Sequence, residues 1–298
     1  MNLLQFIGNT PLLNLDHFIP DKPRVRLHAK AEWMNPGGSI KDRPVKAMLT
    51  DAIATGALTK DQIIIDSSSG NAGIAYSMIG GALGFQVKIV LPGNASQERK
   101  QRILAHGAQI FETDPLEGYD EALREVRRQV DENPGKYFFS NQYGNDNNWK
   151  AHYHGTGVEL IQQVDQPITH FVCGVGTGGS ITGIGRRLKE TYPGIQIIGV
   201  KPEVWPGIEG LKPLGSPHDI IPAIFDDSLV SSWIEVTAEE AKSWCKKLAE
   251  QGLFVGQSSG AYMAACMKLI RSLDQGVVTT LFSDLGERYF SMGLWRQE

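Results

Sequence analysis

The sequence predicts an α/β protein whose mostly parallel, twisted sheets are covered by helices on both faces, arranged as two three-layer domains. Three observations carry this. Short apolar runs alternate with helical patterns along the chain, and such alternation favours parallel strands joined by right-handed crossovers. The run Gln62-Ile63-Ile64-Ile65-Asp66 is continuously apolar at its centre, the mark of a strand buried on both faces. The length, 298 residues, is enough for two cores.

In order, a turn at Ile7-Gly8-Asn9-Thr10-Pro11 leads into a short strand, and Val25–Glu32 is a second. That strand runs into Asn35-Pro36-Gly37-Gly38-Ser39-Ile40-Lys41-Asp42-Arg43. Two glycines allow a tight turn, and Ser39 with Asp42 reads as a capping box that opens a helix. Val45, Met48, Leu49, Ala52 and Ile53 give this helix one buried stripe; Pro44 is tolerable only in its first turn. Strands are expected at 62–66, 87–91, 109–112, 137–139, 168–173, 195–200, 254–255 and 277–282. Helices are expected at 74–83, 96–106, 119–132, 152–163, 181–190, 238–251 and 261–272. Arg124, Arg127 and Arg128 form the solvated face of the helix at 119–132. The asparagine-dense stretch 141–148 is a crossing point between domains, and the proline- and glycine-rich stretch 201–228 shows no pattern.

Composition narrows the class. A net charge of −4 gives no reason to expect nucleic acid or an anionic membrane as partner. Cys173, Cys245 and Cys266 form no paired spacing, which argues against disulfides or zinc and for a reducing compartment. His106, His152, His154 and His170 lack metal-like spacing and read as structural or surface residues. No basic segment followed by an apolar run opens the chain, and no stretch has the roughly 20 apolar residues a membrane span needs. A cytoplasmic protein is the expectation.

In parallel α/β sheets ligands gather where strands end and helices begin, and three such turns stand out. Ser68-Ser69-Gly70-Asn71-Ala72-Gly73 offers hydroxyls and backbone N–H groups, either as a carboxylate cradle or as a well-capped helix start. Gly174-Val175-Gly176-Thr177-Gly178-Gly179-Ser180 suits a phosphate more strongly, because several glycines permit close backbone approach. It lacks the Lys-Ser/Thr of a P-loop but matches G-x-G-x-x-G, with Glu203 near the position of a ribose-binding acid. A nicotinamide-dependent oxidoreductase is therefore a rival reading. The third turn is Gly256-Gln257-Ser258-Ser259-Gly260. Lys41 completes the set: at a helix N-terminus, partly desolvated, its amine would be held towards the neutral, nucleophilic form that condenses with carbonyls.

These motifs, in this order and spacing, resemble the cysteine synthases (O-acetylserine sulfhydrylases), pyridoxal-phosphate enzymes of the tryptophan-synthase-β fold type, or fold type II. Ile7–Leu12 and Ser283-Asp284-Leu285-Gly286-Glu287-Arg288-Tyr289 look like that family's two ends, so the likeness spans essentially the whole chain. Pro92-Gly93-Asn94-Ala95-Ser96-Gln97-Glu98-Arg99 is most similar to the cysteine synthase B branch.

The resemblance implies pyridoxal 5′-phosphate as cofactor, bound as an imine to Lys41, which later moves the proton at the substrate α-carbon. It implies that Asn71 bonds the cofactor's 3′ oxygen, that Gly176, Thr177, Gly178, Gly179 and Ser180 cradle its phosphate, and that Ser258 faces the pyridine nitrogen. Ser68, Ser69, Gly70, Ala72 and Gln142 correspond to the loop positions around the α-carboxylate. Ala72 departs from the family's threonine and removes one hydroxyl, a loss worth about 1.5–3 kcal/mol if uncompensated. The implied activity is β-replacement: an activated serine, O-acetylserine or O-phosphoserine, becomes L-cysteine through an aminoacrylate and a sulfur donor. Cystathionine formation is the neighbouring alternative. A retired binding subunit would lack the imine lysine. The resemblance also implies a smaller mobile domain at 40–142, a larger one from 1–39 and 143–298, and a homodimer, for which Trp149, Tyr153 and Leu294-Trp295 are interface candidates.

Overall fold

The structure, a computed structural model, describes residues 3–68, 70–214 and 220–295. Its strands are β1 (Leu12–Asn14), β2 (Val25–Ala31), β3 (Ile63–Ser67), β4 (Val87–Pro92), β5 (Gln109–Thr113), β6 (Tyr137–Phe139), β7 (His170–Gly174), β8 (Gln196–Pro202), β9 (Ser232–Val236) and β10 (Gly276–Phe282). They form a six-stranded sheet, β1-β2-β10-β7-β8-β9, and a four-stranded sheet, β5-β4-β3-β6. Only β1 pairs antiparallel; every other neighbour is parallel. The fold is the two-domain α/β arrangement that the alternation of strands and helices implies.

The helices are α1 (Asp42–Ala54), α2 (Asn71–Ala82), α3 (Gln97–Ala105), α4 (Gly118–Glu132), α5 (Asp146–Ala151), α6 (Gly157–Gln163), α7 (Gly179–Thr191), α8 (Ala238–Glu250) and α9 (Gln257–Arg271). Two large apolar cores result. One joins Leu27, Phe171, Val172, Ile197, Val200, Val278 and Phe282 of the six-stranded sheet to α7 and α9. The other joins Ile64, Val87 and Ile89 of the four-stranded sheet to α1 and α2, and takes in Leu4 and Ile7 from the N-terminal segment. No helix among the described residues is long and apolar enough to cross a membrane.

Several local expectations change. Ser39 and Asp42 form no capping box: Ser39 Oγ accepts the Lys41 N–H at 3.3 Å, and the Asp42 carboxylate turns back to accept the Gly37 N–H. The serine thus stabilises the lysine turn rather than the helix. Ile53 lies outside the buried stripe at 38% exposure, while Val45, Met48, Leu49 and Ala52 are buried. Residues 146–163 are continuously helical, with a π turn at His152–Thr156 between α5 and α6. Phe254-Val255 is no strand; Val255 makes one isolated bridge to Leu285. The edge strand β9 lies in a stretch with weak alternation, and its first two residues are exposed. The capping box that does exist is Thr237 with Glu240, at the start of α8.

Candidate active site

The turns that leave β2, β3, β7 and β10 all lie at carboxyl ends of parallel strands, where α/β sheets hold their ligands. After β2 comes the lysine turn. Gly38 N–H bonds Asn35 O at 2.7 Å, and Ile40 N–H reaches Ser283 O at 2.9 Å beyond β10. Lys41 therefore stands on a loop tied to the central strand of the large sheet. Lys41, Ser68, Asn71, Ala72, Gln142, Gly176 and Thr177 line a single cavity, together with Tyr143, Gly210, Leu211 and Lys212. Burial pushes the Lys41 amine below the ordinary lysine value; Asp284 and Cys173 oppose this, and Arg288 adds to it. An amine so placed is a better nucleophile and a better base near neutral pH than a solvated lysine.

The turn after β7 is built from backbone. Gly178 has φ +82°, a conformation glycine adopts without strain. The N–H groups of Gly176, Thr177, Gly178 and Ser180 have no acceptor among the described residues. Gly179 N–H is held only weakly, by Thr177 Oγ1 at 3.4 Å. No acidic residue occupies the first turn of α7, so these donors and the positive end of the helix dipole lie uncancelled at a turn whose Gly176 and Thr177 line the cavity. Neither Gly176 nor Gly179 has room for a larger residue. A Cβ on the first would lie 2.7 Å from Gly210 O, and on the second 2.0 Å from Asn148 Oδ1.

The turn after β3 is built from side chains. Ser68 Oγ accepts from the Gly70 and Gly73 N–H groups at 3.0 and 2.6 Å, capping α2, and its own hydrogen has no acceptor among the described residues. Ser69 lies outside the described residues, and Gly70 is its buried neighbour. Beneath the turn, Asp66 accepts from Ser67 N–H at 2.8 Å, Tyr76 O–H at 2.8 Å and Gln142 N–H at 3.3 Å. Burial pushes the Asp66 carboxyl up to about 7 despite these bonds. Gln142 Nε2 donates to Ser67 O at 2.6 Å. Asn148 Nδ2 then donates to Gln142 O at 2.6 Å and Thr177 Oγ1 at 3.1 Å, linking the two turns.

Ser258 is buried near the N-terminus of α9 and is not part of the cavity wall. Tyr143, Gly210, Leu211 and Lys212 also line the cavity, and sequence reasoning did not mark them as site residues. The last three sit in the patternless stretch after β8, where only the chain path reveals them. Lys212 donates to Asp120 at 3.2 Å, so this second ammonium on the cavity wall is already paired. The rival nicotinamide reading loses its ribose acid, because Glu203 accepts the Ala238 N–H and caps α8 instead.

An amine in the same cavity as uncommitted N–H donors at a helix start fits a phosphate-bearing aldehyde, and pyridoxal phosphate is one. A profile of pyridoxal-phosphate dependent enzymes matches residues 3–284. The chain belongs to that family. It is 47% identical to a cysteine synthase of Aquifex aeolicus, over 98% of this chain and 91% of that one. It is 37% identical to cysteine synthase B of Pseudomonas aeruginosa, over 97% of this chain and 95% of the other. Among solved structures, cysteine synthase of Entamoeba histolytica superposes with a TM-score of 0.91 at 33% identity, covering 100% of this chain and 91% of that one. As a member of this family the chain is a pyridoxal-phosphate enzyme.

Proposed function

We propose that this chain makes L-cysteine by β-replacement, exchanging the activated hydroxyl of a serine derivative for sulfur. The observation that carries the reading is the meeting of Lys41 with two unlike turns in one cavity, one offering bare N–H donors and the other hydroxyl and amide groups. Lys41 would hold the cofactor through its aldehyde carbon, and Gly176, Thr177, Gly178, Gly179 and Ser180 would hold its phosphate. Asn71 donates to the ring oxygen. Ser258, a neutral hydroxyl buried at the start of α9 and outside the cavity wall, is the group that would meet the ring nitrogen. Bound there, pyridoxal phosphate supplies the electron sink that makes the substrate's α-proton removable.

Ser68, Ser69, Gly70, Ala72 and Gln142 receive the α-carboxylate. Ala72 is buried on the cavity wall and brings no hydroxyl to it; Ser68, whose hydrogen has no acceptor among the described residues, keeps one for the carboxylate. Lys41 takes the α-proton while the β-substituent leaves, then returns it after sulfur has bonded to the β-carbon. Its depressed basicity suits both directions. Residues 40–142 form the smaller unit that closes on the substrate and excludes water. The enzyme works as a homodimer in the cytoplasm, where its three buried free thiols stay reduced. Trp149 and Tyr153, half-buried and edge-to-face at 6.0 Å, are offered to the partner. Leu294 is buried and Trp295 stacks on Phe254 at 4.5 Å, so both serve this chain's own packing.

The test uses the purified chain loaded with pyridoxal phosphate. The protein is expected to be yellow, and borohydride should fix the group to the peptide that contains Lys41. With sulfide, O-acetylserine should give cysteine and acetate, or O-phosphoserine cysteine and phosphate; the productive donor names the substrate. A colourless protein that takes up a nicotinamide dinucleotide would overturn the reading.

A further inference from the structure

Arg288, at the far end of the chain, is 4% exposed and carries its guanidinium into the gap between the lysine turn and the turn after β3. One end donates to Gly37 O and the other to Asn71 Oδ1. The fit is close: a Cβ on Gly38 would lie 2.7 Å from Arg288 Nη2. Arg288 is itself anchored, since Ser96 Oγ donates to its carbonyl at 2.9 Å. Opposite it, Asp284 Oδ2 accepts from Asn71 Nδ2 at 2.7 Å and from Tyr289 O–H at 2.6 Å.

This arrangement fixes which way the Asn71 amide faces. A guanidinium can only donate, so the amide atom beside it is the oxygen; a carboxylate oxygen accepts, so the atom beside Asp284 is the nitrogen. With Oδ1 committed and one N–H spent on Asp284, the second N–H of Asn71 has no acceptor among the described residues, and Asn71 lines the cavity. Without Arg288 the amide oxygen loses its donor, and Asp284 alone opposes a half-turn that would present that oxygen to the cavity instead. An acceptor there would repel the cofactor's ring oxygen.

We infer that Arg288 and Asp284 are positioning residues that hold Asn71 as a hydrogen-bond donor to the cofactor, and that Arg288 couples this orientation to the lysine turn. The inference rests on the proposed role of Asn71.

The test is a double-mutant cycle on the affinity of the cofactor-free chain for pyridoxal phosphate, with the unfolding midpoint of that chain as control. Asn71→Ala and Arg288→Leu should each weaken binding by about 10-fold, the lower end for a hydrogen bond to a charged group. The double variant should bind no more weakly than the worse single, because both remove the same donor. The absorption maximum of the bound cofactor should shift alike in both singles. If Arg288→Leu does not fold, Arg288→Lys runs the same cycle; an ammonium also only donates, so it should retain more affinity than Asn71→Ala. Losses that multiply in the double variant would overturn the inference and leave the Asn71 assignment standing. No loss of affinity in Asn71→Ala would overturn the assignment itself, and the inference with it.

Discussion

The turns after β7 and after β3 occupy equivalent places, each between a buried parallel strand and the helix that follows, and each faces the same cavity. They are made of different materials. After β7, four N–H groups have no acceptor among the described residues, and the loop's side chains add only the Thr177 hydroxyl, bonded to Asn148 and Gly179, and Ser180 Oγ, 3.7 Å from Cys173 Sγ. After β3, Ser68 Oγ and the Asn71 amide do the work, supported by the buried Asp66 carboxyl and Gln142. A backbone site tolerates loss of side-chain function but not added bulk. A side-chain site tolerates little loss of function. The first suits a phosphate that stays; in the second, Asn71 is turned to the resident cofactor and Ser68 suits an amino acid that must come and go.

Lys41→Ala sharpens this contrast most. Turnover should fall by at least about 10⁴-fold, the upper end for one acid–base group. Cofactor affinity should fall far less, because the glycine turn is untouched. Steady-state rates and equilibrium binding on the same protein check both. Equal losses would mean that the β7 turn contributes little to holding the phosphate.

Gly179→Ala tests the bulk argument. The new methyl would lie 2.0 Å from Asn148 Oδ1, inside a buried contact with no slack. The expected cost is about 1–3 kcal/mol of stability, with weaker cofactor retention, read by thermal melting and by dialysis of the loaded protein. Unchanged retention would remove the claim that this turn fails by crowding.

The β3 turn can be separated by pH. Burial pushes Asp66 and Asp42 up to about 7, from 3.8 for an ordinary aspartate. Between about pH 4 and 7 the unfolded chain releases these protons while the folded chain keeps them. The stability this gives is therefore present at low pH, falls as pH rises through that window, and levels off above about 7. Asp66→Asn should remove roughly half of the two-group slope. It should also cost about 1–3 kcal/mol, because an amide cannot accept every bond from Ser67, Tyr76 and Gln142. Denaturant melts at pH 4.5, 6 and 8 measure both effects; an unchanged slope would mean that Asp66 ionises normally.

These two turns also show what the sequence could and could not reveal. Strands β3 and β7 were legible because parallel strands buried on both faces are apolar throughout. Their turns were legible because glycine and serine at a strand–helix junction have few other uses. The lysine turn was found, but its local bonding was misread: Ser39 and Asp42 have capping-box spacing, yet the glycines before them let the Asp42 carboxylate satisfy Gly37 instead. Ile53 fits the helical stripe by spacing, but the stripe's edge faces solvent. Gly210–Lys212 and Asn148 reach the site by tertiary path alone, and no local pattern marks their part in it; Arg288 lies in the Ser283–Tyr289 motif, but only the fold reveals its bonds to Gly37 and Asn71.

The finest test pairs one hydroxyl from each turn. Ser68→Ala removes the acceptor for the Gly70 and Gly73 N–H groups and the hydroxyl that faces the cavity. It should cost about 0.5–2 kcal/mol as a lost helix cap and raise the KM for the amino acid, with cofactor affinity nearly unchanged. Thr177→Ala removes the link to Asn148 and the weak support of Gly179 N–H. It should cost about 0.5–1.5 kcal/mol and lower cofactor affinity several-fold, leaving the amino-acid KM of the saturated enzyme alone. Thr177→Ser should restore the loss, because the hydroxyl and not the methyl carries the bond. If Ser68→Ala and Thr177→Ala move the same constant, the turns do not divide the ligands between them, and the chain of bonds through Gln142 and Asn148 makes them one site.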